Sequence, residues 1–428
     1  MRSAGFLLLV SASTVAAAPA SALEEWTIDG GTVGLLVEDH RVPLVVLRIE
    51  FAAGSWSPWV EAYDAGAAFE IQLHDPGGDL RRRADLLAAD VELAAGDLAS
   101  GLSVSCRKDD LEAAADLVRM ILANRDFDRA ELKRRRKGKS LSWEASLKEP
   151  RFVLTQAAAR SLFGPDDPRR RPYERPTLPG TDPKTLAAAR DALVRIPGRI
   201  VGFAGDVTLA EAERLARDLL PPVSPEAIGD LAPRLGPVAQ ASSRPRDITV
   251  RLPRLTQVFF AYGRESVGWL DPDYAASRIA DHVLGGNFNS RLMVALRQEE
   301  GDTYGAAVVD SGGLEPGPYA LASFTKTGNA DAMERRLREV LARFHREGIT
   351  EEERALAAGN VVGRRAFLRQ SPEDLLATAM RERRHGLPYG FFDRKAEEAA
   401  SLSLEEVNAF VRRFYDPERF TMFALRPE

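Results

Sequence analysis

Metal-dependent hydrolysis needs two or three imidazole or carboxylate ligands held together by local spacing, most simply two histidines one helical turn apart with a carboxylate near the bound water. The chain has five histidines, His40, His74, His282, His345 and His385, and no two of them lie within a turn of one another. Neither His-Glu-x-x-His nor His-x-x-Glu-His can be written from them. Glu70 and His74 are one turn apart with Asp75 adjacent, but a surface histidine near a helix end that meets Pro76-Gly77-Gly78 is the preferred reading. No Gly-x-Ser-x-Gly elbow occurs, and Gly54-Ser55-Trp56 reads as a strand-end turn. Gly285-Gly286-Asn287 has no following Gly-Lys-Ser/Thr, so it is not a phosphate loop. Cys106 is the only cysteine; it can form no internal disulfide, and the alternation Leu102-Ser103-Val104-Ser105-Cys106 predicts a buried structural thiol.

The elements around these residues read as an α+β chain. With 428 residues, 45% apolar and 28% charged, there is material for two or more cores. The net charge of −5 is spread over mixed signs, which argues against a nucleic-acid partner. Arg2, the apolar run Phe6 to Val10 and Ala20-Ser21-Ala22 form the pattern of a secretory signal peptide over residues 1–22, so export, to the periplasm of a two-membrane cell, is expected. No later segment approaches membrane-spanning length.

Thr32 to Val37 and Pro43 to Phe51, joined by the charged turn Glu38-Asp39-His40-Arg41, predict an antiparallel hairpin. Leu111, Leu117, Val118, Ile121 and Leu122 recur at helical spacing, and a basic helix begins near Asp128. Arg199 to Asp206 reads as a buried strand followed by a helix, Leu209 to Leu220, capped by Thr208. Between Pro221 and Arg246 six prolines mark a linker. Ile248 to Tyr262 is again strand-rich, and Met333, Leu337, Val340, Leu341 and Phe344 form one helix face. Asp110 to Asn124 with Phe127 to Glu131 echoes Asp331 to Arg346 with Ile349 to Glu353, so one unit is expected to occur twice. The expected division is 23–222, a linker 223–246, and 247–428. Pro318 to Phe324 and Gln257 to Phe260 read as core sheet, and Trp56 and Trp59 as packing residues with an interface role as the alternative.

One stretch remains: Leu284-Gly-Gly-Asn-Phe-Asn-Ser-Arg-Leu-Met-Val-Ala-Leu-Arg-Gln-Glu-Glu-Gly-Asp-Thr-Tyr-Gly305. It resembles the block of the pitrilysin and insulinase-like zinc peptidases and of mitochondrial processing peptidase, where a Gly-rich turn and Ser-Arg-Leu precede Arg-x-x-x-Gly-x-x-Tyr. Arg297, Gly301 and Tyr304 fit that spacing. The resemblance implies two homologous α+β domains, each a mostly antiparallel sheet with helices packed on one face. It also implies an inverted zinc motif three residues after a Gly on the first helix. If that Gly is Gly66, Phe69 and Leu73 replace the two imidazoles and Gln72 replaces the general-base Glu.

Phe and Leu offer no nitrogen to zinc, and an amide takes no proton from water. The chain is therefore expected to bind no metal or other cofactor, with zinc on a homologous partner subunit in a heterodimer or larger assembly. As the resemblance implies, Arg297 would hold a substrate carbonyl or carboxylate and Tyr304 would donate to the oxyanion of an unfolded peptide under attack. Without the family block, Arg297 paired to a nearby Glu and Tyr304 packed at a strand start would be the preferred reading. The alternatives for the whole chain are a structural pseudopeptidase scaffold and a peptide-binding protein with no role in turnover.

Overall fold

Alternation puts Val45, Leu47, Ile49 and Phe51 on one, buried face of a strand and the half-buried Val46, Arg48 and Glu50 on the other. The computed structural model describes residues 23–29, 31–57, 73–175, 183–224, 235–239, 247–298 and 303–428. The chain runs β1 (Leu23–Asp29), β2 (Thr32–Glu38), β3 (Leu44–Phe51), α1 (Asp79–Leu86), β4 (Asp90–Ala95), β5 (Ser100–Arg107), α2 (Leu111–Ala123), α3 (Arg129–Ser146), α4 (Pro150–Leu162), α5 (Pro183–Leu193), β6 (Ile200–Gly205) and α6 (Leu209–Leu219). It continues as β7 (Asp247–Leu252), β8 (Gln257–Glu265), α7 (Tyr274–Gly285), α8 (Arg291–Met293), β9 (Ala306–Asp310), β10 (Pro318–Lys326), α9 (Ala330–Glu347), α10 (Glu351–Phe367), α11 (Pro372–Arg384), α12 (Phe391–Ser401), α13 (Leu404–Phe414) and β11 (Thr421–Pro427).

Two sheets result, in the orders β1-β2-β6-β3-β5-β4 and β7-β11-β8-β10-β9. Without β1 the two orders correspond strand for strand. Each has one parallel pair, β2 with β6 and β7 with β11, and is otherwise antiparallel. In each half a strand, a short 3₁₀ turn and a long helix follow one another, as β5 and α2 do in the first and β10 and α9 in the second. The expected antiparallel hairpin is corrected in one respect: β2 and β3 run antiparallel, but β6 lies between them. The reason is burial, because β6 is apolar on both faces (Ile200, Val201, Phe203, Ala204) and can be satisfied only in the sheet centre. Thr208 and Glu211 form a capping box at the start of α6.

Each half packs its own helices on one face, α2 and α6 over the first sheet and α7, α9 and α13 over the second. The opposite face of each sheet receives a helix from the other half. Val153 and Leu154 of α4 pack on Ala261, Phe423 and Leu425 of the second sheet. Leu376, Ala379 and Met380 of α11 pack on Val33, Leu35, Val37, Ile200 and Ala204 of the first. Gly202 makes this approach possible, since a Cβ there would lie 2.8 Å from Leu376 Cδ1 and 2.9 Å from Met380 Sδ. Charges flank the apolar contact: Arg48 bonds Glu373, Arg384 Nε lies 3.3 Å from Glu50, and Arg383 Nε lies 3.7 Å from Glu25. Because Leu376 is fully buried, Leu376→Ala should destabilise the protein by about 3 kcal/mol. Exposed Leu356→Ala should leave the melting temperature nearly unchanged; thermal denaturation followed by circular dichroism compares the two.

Candidate functional site

Where α4 crosses the second sheet it covers β8 and β11 and leaves a mostly apolar cleft of about 630 Å³ over β10 and β9. Small side chains, Ala307, Ala320 and Ala322, leave the floor open, and Leu154 and Ala158 of α4 form a wall. Phe288 and Tyr304, 69% and 80% exposed, line the same cleft. Clefts of this size, apolar with a few placed polar groups, are the usual form of a small binding site.

Most of the Leu284 to Gly305 block is structural. Gly285 brings the end of α7 against β9, where a Cβ would stand 2.4 Å from the Val308 nitrogen. Asn287 closes the turn: its Nδ2 donates to the His282 carbonyl at 3.1 Å and lies 3.0 Å from His282 Nε2. Burial, reinforced by Arg364, lowers the His282 pKa, which favours the uncharged ring. The Arg291 fork binds Glu353 at 2.8 and 2.7 Å, fixing α8 to the start of α10, and Leu292 and Leu296 are fully buried.

After α8 the helix widens into a π turn, Val294–Gln298, a form common at functional sites. Arg297 projects from it, its guanidinium carbon 5.0 Å from the centre of the Phe288 ring. Residues 299–302, with Gly301, lie outside the described residues. Tyr304 is set by the turn behind it. Thr303 Oγ1 donates to the Gly305 carbonyl at 2.9 Å and accepts from the Gly305 N–H at 3.1 Å, and Ser323 donates to the same carbonyl at 3.2 Å. Phe288 thus links the two residues singled out from the sequence, with Arg297 on its ring and Tyr304 in the same cleft. Sequence reasoning missed it, although a phenylalanine between two asparagines is a sign of an exposed aromatic.

A buried polar network stands behind the cleft. Tyr319, which lines it, donates to Asp281 Oδ1 at 2.6 Å; Tyr415 donates to the same oxygen at 2.7 Å. Arg278 binds Asp281 at 2.5 Å and Asp310 at 2.9 Å, joining α7 to the end of β9. Burial pushes the Asp281 carboxyl up, against the pull of Arg278. Its phenol donors and its cation make it a satisfied structural group.

Of the degenerate zinc-motif segment, Phe69 and Gln72 lie outside the described residues. Leu73 is core, packed with Leu80, Ala84, Leu117 and Ile121. Asp75 caps α1 by accepting from the N–H groups of Asp79 and Leu80, each at 3.1 Å, and so has a structural task. Among the described residues no three His, Cys, Asp or Glu side chains converge as a metal-ligand set. Cys106 is buried, and burial pushes its thiol up to about 11. Trp56 lines a second cavity of about 850 Å³ between the halves, opposite the loop Gly312 to Gly317 and near His385; Trp59 lies outside the described residues. Burial, with Arg384 and Arg381 nearby, pushes His385 down to about 4. No helix of the described residues is long and apolar enough to cross a membrane.

Residues 200–359, from β6 into α10, match the family model of the Peptidase M16 inactive domain, a stretch that includes Arg297 and Tyr304. A curated relative, the non-peptidase homolog YmxG of Helicobacter pylori, is 26% identical over 144 residues; the alignment spans 33% of this chain and 33% of that protein's length. The crystal structure of a peptidase M16 inactive domain from Pseudomonas fluorescens superposes with a TM-score of 0.80 at 20% identity, over 95% of this chain and 98% of that one. A protease from Helicobacter pylori superposes with a TM-score of 0.77 at 13% identity, over 95% and 100%. The periplasmic protease PqqL from Escherichia coli gives 0.73 at 15% identity, over 100% of this chain and 49% of PqqL. These likenesses establish the fold, two antiparallel-dominated sheets with helices.

Asp281→Ala would leave two phenols without their carboxylate acceptor and Arg278 with Asp310 alone, and a loss of about 3 kcal/mol is expected in chemical denaturation. Tyr415→Phe, which removes one donor of two, should lose about 1 kcal/mol. At the turn after β2, His40 lies with Nδ1 2.5 Å from Asp206 and Nε2 2.6 Å from Glu38, and these hydrogen bonds raise its pKa above 6.5. Its contribution to stability should be complete below the unfolded pKa of about 6.5 and be lost as pH rises through the higher folded value. An NMR titration of the ring checks the shift, and His40→Gln should remove that step from the pH dependence of stability.

Proposed function

We propose that the chain is the non-catalytic subunit of a heteromeric zinc metallopeptidase, contributing Arg297 and Tyr304 to a site whose metal is carried by a homologous partner. The observation that carries this reading is that Phe288 and Tyr304 line the cleft beside α4 while Arg297 stacks on the Phe288 ring at its edge. The match of residues 200–359 to an inactive peptidase domain supports the absence of an independent catalytic centre. The sequence supports it further, with Phe69, Gln72 and Leu73 where ligands and base would stand. The division at residues 223–246 and export to a periplasmic space belong to the same proposal.

In this role the partner's metal would supply the activated water. The Arg297 guanidinium, backed by the Phe288 face, holds a carbonyl or carboxylate of an extended peptide through its N–H edges. The phenol of Tyr304 is 80% exposed and donates to negative charge developing on the carbonyl oxygen. The apolar cleft excludes water on one side of Tyr304, which strengthens that donation. A substrate reaching both groups must be locally unfolded.

The test reconstitutes the chain with a homologue bearing His-x-x-Glu-His and measures turnover of an unfolded peptide. Tyr304→Phe and Arg297→Ala are each expected to lower kcat/KM roughly a hundredfold. Elemental analysis should find zinc only on the partner. Unchanged turnover in both variants would assign the chain to a scaffold role.

A further inference from the structure

A second exposed feature lies on α3, far in sequence from the cleft residues of β9 and β10. This helix buries a single side chain, Leu132, against Phe127 and Leu186. A helix of this length normally buries an apolar stripe. On its exposed surface Arg129, Lys133, Arg136 and Lys137 follow one another at helical spacing, so their side chains share one face. Among the described residues none of the four pairs with a carboxylate, whereas Arg134 and Arg135 on the flank both bind Glu131. Elsewhere exposed arginines sit in local ion pairs, as Arg81 with Asp85 and Arg107 with Asp109 do. Like charges one turn apart repel and weaken the helix, and Gly138 in its interior, with open space where a Cβ would be, weakens it further. The Asp128 cap, the Glu131 pairs with Arg134 and Arg135 and the edge contact of Trp143 with Phe152 support the helix, but none of them neutralises the four cations.

We infer that this face of α3 is a docking surface for an acidic protein segment, with the four cations as its electrostatic contacts and Leu141 as an apolar anchor. Leu141 is 54% exposed and stands one turn beyond Lys137. An anionic bilayer is the less fitting occupant, because a surface-binding helix needs a broad apolar face beside its cations and α3 offers there only Leu141 and Trp143, whose ring is already packed edge-on against Phe152. A nucleic acid fits poorly on a chain with a net charge of −5. The surface is independent of Arg297 and Tyr304, so its test stands apart from the peptidase reading.

Fluorescence anisotropy with a labelled Glu-rich peptide tests the inference on the full chain, with a Lys-rich peptide and phosphatidylglycerol vesicles alongside. The Glu-rich peptide should bind at low salt and weaken as salt is raised. The triple variant Lys133→Gln, Arg136→Gln, Lys137→Gln should bind roughly tenfold or more weakly while melting no earlier than the parent. Arg81→Gln with Arg82→Gln, on α1, should bind like the parent. Equal binding of both peptides, undiminished binding by the triple variant, or binding to vesicles without binding to the peptide would each overturn it.

Discussion

Neither sheet of this protein is covered on both faces by its own half of the chain. Each leaves one apolar face to be closed by a single helix from the other half, α4 on the second sheet and α11 on the first. The exchange is reciprocal, and both helices cross the equivalent strands β6 and β11 of two strand orders that match. Removing apolar surface from water on both sides of both sheets therefore requires the halves to be together, and neither core is finished alone. The ion pairs at the ends of α11 orient this contact; the burial of Leu376, Ala379 and Met380 supplies most of its free energy.

The cleft follows from that arrangement. Because α4 is narrower than the sheet it crosses, the strands beyond it are bare, and alanines there make the bare strip a trough. The block after α7 then has two separate duties. Gly285, Asn287, Arg291, Leu292 and Leu296 fix a tight corner by close approach, hydrogen bonding and burial. Phe288 and Tyr304 are what that corner presents to the trough, with Arg297 stacked on the Phe288 ring. The Asp281 network holds α7 to β9 and β10 from behind, so the presented residues stand on rigid supports.

What could be read from the sequence was local. The periodicity of Leu111 to Leu122 and of Met333 to Phe344, the Thr208 cap and the corner block all depend on neighbours within a few turns, and they stand where expected. The insertion of β6 between β2 and β3 was not legible, because a charged turn between two strands signals a change of direction and says nothing about a third strand arriving from far along the chain. The exchanged helices were hidden for the same reason: Val153, Leu154, Ala157 and Ala158 declare a buried face without naming which sheet buries it. Phe288 was passed over because an aromatic carries no charge to mark a chemical task. The correspondence of the two strand orders gives physical form to a duplication first visible as paired helix starts.

The lone cysteine has a consequence of its own. Cys106 sits near the end of β5 with its side chain buried and its thiol pKa raised by that burial, so an alkylating dye finds little thiolate while the first sheet is closed. With no competing sulfhydryl anywhere in the polypeptide, every labelled molecule in a reaction mixture records one excursion in which that sheet came apart. The protein thus carries an internal clock for its own breathing.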